Sequence, residues 1–74
     1  MKIDINMELC IRRGSINAAN SIIKDGLNKY FNDGVRFGFF DIEEDPTVIC
    51  RDIIKNLEEY NEHELVNKLK EIIK

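Results

Sequence analysis

Arg12, Arg13, Gly14 and Ser15 are the residues of this chain best suited to holding a ligand. Two guanidinium forks beside a glycine and a hydroxyl at a helix start suit a phosphate group, which takes backbone N–H and arginine hydrogen bonds together. Arg12, Arg13 and Ser15 are therefore the candidate phosphate contacts. No Walker or dinucleotide glycine pattern accompanies them. The plainer reading is that Ser15 caps a helix and the arginines pair with acidic residues.

A second cluster follows at Asp41, Glu43, Glu44 and Asp45. Hard carboxylate oxygens at that density suit Mg²⁺ or Ca²⁺, but the calcium-loop pattern is absent. Acidic residues just ahead of a helix are favoured by its dipole. The expectation is a helix start with a partner-facing acidic patch, and no metal. His63, Cys10 and Cys50 lack the spacing of zinc ligands. A cysteine nucleophile with His63 as base would need a third orienting group, and none suggests itself. Phe37, Phe39 and Phe40 beside Arg36 offer stacking surface for single-stranded nucleic acid. The recognition motif of an RNA-binding sheet is missing, so these phenylalanines read as core.

The elements that would position these residues follow from periodicity. Ile3, Ile5, Met7, Leu9 and Ile11 alternate with Lys2, Asp4, Asn6, Glu8, Cys10 and Arg12, the pattern of a strand with one buried and one wet face. Its length leaves an edge free to pair with another chain. Ile16, Ala19, Ile23, Leu27 and Tyr30, widened by Ile22 and Phe31, predict a helix that runs through Gly26 and is closed by Gly34 at positive φ. Val35 to Ile42 reads as a second, buried strand. Asp45 and Pro46 open a helix reaching about Tyr60, with its stripe at Ile49, Ile53, Leu57 and Tyr60 broadened by Val48, Cys50 and Ile54. Asn61 and Glu64 form a capping box for a last helix bearing Leu65, Val66, Leu69, Ile72 and Ile73.

The expected fold is a single α+β domain over residues 1–74, ordered β-α-β-α-α. Its two strands pair in parallel through a right-handed crossover, with helices on one face and a sheet that dimerisation extends. In that arrangement Arg12–Ser15 and Asp41–Asp45 share the rim at the strand ends, where parallel sheets bind ligands.

The bulk numbers narrow the function. Eleven basic and 14 acidic residues give a net charge of -3, the opposite of a general nucleic-acid binder. No apolar run approaches the length of a membrane span. Two cysteines and a polar–apolar start predict a reduced, cytoplasmic protein rather than a secreted one. A chain rich in isoleucine, asparagine and lysine fits an AT-rich source such as a phage or other mobile element.

These features predict a small interaction module, not an enzyme: an inhibitor, antitoxin, immunity protein or adaptor that occupies another protein. Its contacts are Lys2, Asp4, Asn6 and Glu8 on the strand edge, with Asp41, Glu43 and Glu44 in the acidic patch. It is expected to be a homodimer and to need no cofactor. One alternative is a dimeric nucleic-acid-binding regulator with Arg12, Arg13, Arg36 and Lys24 on phosphates. Another is a small-ligand or metal-binding domain at the strand-end rim.

Overall fold

Two alanines and one isoleucine at helical spacing, Ala18, Ala19 and Ile22, let the first helix sink into the middle of the molecule. The computed structural model describes residues 15–74. Their four helices are α1 (Ser15–Asp25), α2 (Leu27–Arg36), α3 (Pro46–Glu59) and α4 (His63–Ile72). Helices α1 and α3 pack on each other and on both remaining helices, so α2 and α4 flank a central pair. The core joins Ala18, Ala19 and Ile22 to Tyr30, Cys50, Ile53, Ile54, Leu57, Val66 and Leu69.

The described residues contain no strand, so the α+β expectation is replaced by an all-helical domain. The alternating segment Lys2–Arg12 lies outside the described residues. The second strand is the specific error. Val35 and Arg36 complete α2, and Phe37 to Ile42 form a turn. Gly38 adopts φ +83°, a backbone region that favours glycine. Its N–H bonds the Val35 carbonyl at 3.1 Å, and the Phe39 N–H bonds the Gly34 carbonyl at 2.7 Å. That pair of bonds is a Schellman stop. The terminating glycine is therefore Gly38 and not Gly34, which is buried inside α2.

The same device ends α3. Asn61 takes φ +61°, its N–H bonds the Glu58 carbonyl at 3.2 Å, and the Glu62 N–H bonds the Leu57 carbonyl at 3.0 Å. Asparagine tolerates this region better than most side chains. Asn61 thus closes one helix instead of capping the next. The residue before α4 is Glu62, whose side chain makes no cap bond.

Gly26 separates α1 from α2, in place of the one continuous helix that the periodicity predicts. Its φ of 100° with ψ of 150° lies where essentially only glycine is found. The break rotates the buried stripe of α1 onto Ala18, Ala19 and Ile22, leaving Ile16 and Ile23 exposed. The start of α3 follows the sequence reading. Pro46 occupies the first turn, and the Asp45 carboxylate accepts the Thr47 N–H at 2.9 Å, a cap worth roughly 1 kcal/mol.

Candidate functional site

Phe40 shapes the groove that forms the candidate site. After the turn at Gly38 its ring folds back over α2, stacked on Phe31 with centroids 5.9 Å apart and tilted against Tyr30 at 5.7 Å. It covers Gly34 so closely that a Cβ there would meet the ring. The turn is thereby pinned beside α3, and an open groove of about 300 Å³ lies between them. Tyr30, Phe39, Phe40, Ile49 and Ile53 line its apolar part; Glu44, Asp52 and Asn56 line the polar part. Ile49, Asp52, Ile53 and Asn56 fall at helical spacing and present one face of α3.

The acidic turn is held by its own backbone. Glu44 accepts the Asp41 N–H at 2.7 Å, and Asp41 accepts the Glu43 N–H at 3.1 Å. With Asp45 capping α3, three of these carboxylates are engaged in shaping the turn. All four residues remain exposed. Among the described residues no group of three or more histidine, cysteine or acidic side chains is arranged to hold a metal ion.

The other sequence candidates are dispersed. Lys2, Asp4, Asn6, Glu8, Arg12 and Arg13 lie outside the described residues, and Ser15 is the first residue of α1. The strand-end rim, expected to unite Arg12, Arg13 and Ser15 with the acidic turn, loses its second strand. Lys24 stands in the last turn of α1. Arg36 lies over the Phe37 ring, 5.9 Å from its centroid. Phe37, Phe39 and Phe40 thus do not form a row for stacking bases: one underlies Arg36, one lines the groove and one anchors the turn.

The sequence points to Glu44 as a contact and to Tyr30, Ile49 and Ile53 as core only. It gives Asp52 and Asn56 no special role. The signal present in the chain is two polar residues four apart, interleaved with the isoleucines of α3.

His63 opens α4 and is exposed, whereas Cys50 is fully buried in the core as a free thiol. Burial raises the Cys50 thiol above its ordinary value, because the thiolate is poorly solvated there. The folded state then holds its proton to higher pH than the unfolded chain does. The associated stability is present below the unfolded thiol value and is lost as pH rises from there through the folded value. Urea midpoints measured from about pH 8 to about pH 10.5 should fall more steeply for the native protein than for Cys50→Ala. Parallel profiles would contradict this.

Comparison with protein-family models, curated proteins and solved structures finds no match to this chain. No helix among the described residues is long and apolar enough to cross a membrane.

Proposed function

We propose that this protein is a small interaction module that acts by occupying another protein, in the manner of an inhibitor, antitoxin, immunity protein or adaptor. The observation that carries the reading is the groove between the Phe37–Asp45 turn and α3. It combines an apolar, largely aromatic floor with a polar rim, as the centres and borders of protein interfaces do. The turn that forms one wall is held in place before any partner arrives, by the packing of Phe40 on α2 and by the bonded acidic residues that follow it. Preorganisation of this kind lowers the ordering cost of association. Exposed Ile42 and Val48, on the turn and at the start of α3, add apolar area that the domain's own core does not use.

The segment Lys2–Arg12 supplies a second contact in this reading, through its polar edge residues Lys2, Asp4, Asn6 and Glu8. Pairing of that segment between copies would give the homodimer. A buried free thiol at Cys50 suits a reducing compartment, which supports a cytoplasmic location.

The test is capture from native extract with a C-terminally tagged chain, beside the variant Asn56→Trp. Tryptophan at this exposed position fills the groove without changing charge. A nuclease-resistant protein partner retained by the native chain and lost with Asn56→Trp is the expected result. Retention by both would place the interaction elsewhere on the surface. Retention of nothing, or only of nuclease-sensitive material, would overturn the module reading.

A further inference from the structure

We infer that Gly26 is the hinge of a domain-swapped dimer, in which α1 and α2 straighten into one helix and α1 docks on α3 and α4 of a second copy. This goes beyond the interaction-module reading and does not depend on it. Asp25 and Leu27 are both helical, so a single residue makes the bend between α1 and α2. Helical bonding reaches that residue from both sides. The Gly26 N–H bonds the Ile22 carbonyl at 2.8 Å, and the Gly26 carbonyl accepts the Tyr30 N–H at 3.1 Å. Both bonds have the spacing of an α-helix. Moving Gly26 from φ 100° and ψ 150° to helical values would give one helix from Ser15 to Arg36, about 33 Å long. The N–H groups of Leu27, Asn28 and Lys29 would then bond the carbonyls of Ile23, Lys24 and Asp25.

Local sequence and tertiary packing pull this hinge in opposite directions. Ile16, Ile23, Leu27 and Tyr30 would fall on one face of a continuous helix. The bend divides that face: Leu27 and Tyr30 pack with the core, while Ile16 and Ile23 stay exposed. What holds α1 in the bent arrangement is its docking through Ala18, Ala19 and Ile22, all of them buried. A second copy offers the same surface on α3 and α4, so exchange of α1 keeps those contacts and changes only the hinge. Exchange also adds an interface that the single chain lacks. The two straightened helices pass each other at their hinges, where the exposed Ile23 of each gains apolar cover. A connection of one residue is the short kind that invites such exchange.

The experiment compares the full native chain with Gly26→Ala and Gly38→Ala, each refolded from urea at equal concentration and weighed by light scattering. Both glycines have positive φ, and a Cβ at either meets no atom within 4 Å, so each variant bears a backbone penalty without a clash. Only at Gly26 does a helical alternative relieve it. Alanine is favoured over glycine in a helix about fivefold per chain, so Gly26→Ala should dimerise at least about 25-fold more tightly than the native chain. Gly38→Ala should lower the urea midpoint and leave the dimerisation constant unchanged. In dimers assembled from isotope-labelled and unlabelled chains, filtered NOEs should join Ala18, Ala19 and Ile22 of one chain to Leu57 and Leu69 of the other. A Gly-Gly-Ser insertion after Gly26, made in the Gly26→Ala chain, should restore the monomer because α1 can then fold back.

A Gly26→Ala chain that stays monomeric, or does not fold, overturns the proposal, since the helical hinge is then closed to the molecule. Equal dimerisation of Gly38→Ala also overturns it, because general loosening would be the cause. So does a dimer in which α1 contacts only its own chain, which would mean side-by-side association, such as pairing through Lys2–Arg12. A dimerisation constant that the insertion leaves unchanged has the same force. The module reading stands or falls separately, on the Asn56→Trp comparison.

Discussion

Leu57→Ala is expected to cost about 2–5 kcal/mol, the range for emptying a buried leucine site. Leu57 is fully buried and sits on α3, which like α1 touches all the other helices. Its side chain belongs to the core that joins α1, α3 and α4, so no single helix can shift to fill the space without opening another gap. Domains of this size have stabilities of the order of 5 kcal/mol. The variant should therefore keep only about 0–3 kcal/mol at room temperature, and urea denaturation followed by circular dichroism should show the midpoint lowered by about 40% or more, with the folded baseline lost at the upper end of that range. Tyr60→Ala, three residues on but 67% exposed, should change stability by less than about 0.5 kcal/mol. A Leu57→Ala midpoint close to the native one would mean that the helices do not meet where described.

The second large effect is a reversal of sign at Gly34. In an exposed helix, glycine to alanine gains about 1 kcal/mol. Here the added methyl would collide with the Phe40 ring, which must leave its contacts with Tyr30 and Phe31. Overpacking of this kind costs about 1–3 kcal/mol, and loss of ring burial adds to it. Gly34→Ala should therefore destabilise by about 1–3 kcal/mol. With Phe40→Ala already in place the collision is gone, and the same substitution should stabilise by about 1 kcal/mol. The four urea midpoints of this double-mutant cycle decide it. Additive effects would show that Phe40 does not cover Gly34, and the groove it shapes would be lost with that contact.

The Phe40 packing also explains why the fold is only partly legible in the sequence. The start of α3 is readable because its signals are local: Asp45 and Pro46 act on the turn they belong to. The apolar face of α4 is readable for the same reason, through Val66 and Leu69. Val35 to Ile42 is not. Strand propensity measures fit to a half-buried surface, and Phe39 and Phe40 find that surface on helices instead of in a sheet. Two glycines compete to end α2, and the choice between them depends on which lies beneath a ring from farther along the chain. Asn61 carries two compatible local roles, helix stop and helix cap, and the backbone uses the first.

The candidate site is less legible than the fold. Glu44 stands out from the acidic cluster, with Asp41 and Glu43 beside it. The aromatic floor cannot be assembled from the sequence, because Tyr30 and Phe39 come to line one groove only once α2 is stopped at Gly38 and the chain reverses. Asp52 and Asn56 become meaningful only when the turn lies against α3; in the sequence they are ordinary polar positions on an amphipathic helix.

The placement of α1 has a consequence for the order in which the molecule assembles. Contacts of α1 with α2, of α2 with α3 and of α3 with α4 join helices adjacent along the chain. Such local contacts form quickly and with little loop entropy. The contacts of α1 with α3 and α4 are of another kind, because they pass over one or two intervening helices. Contacts of α1 with α3 need the chain to reverse at Gly38, and those with α4 need the turn at Asn61 as well. Docking of α1 on α3 and α4 through Ala18, Ala19 and Ile22 thus closes longer loops, at a higher entropic cost, than any contact between helices adjacent along the chain.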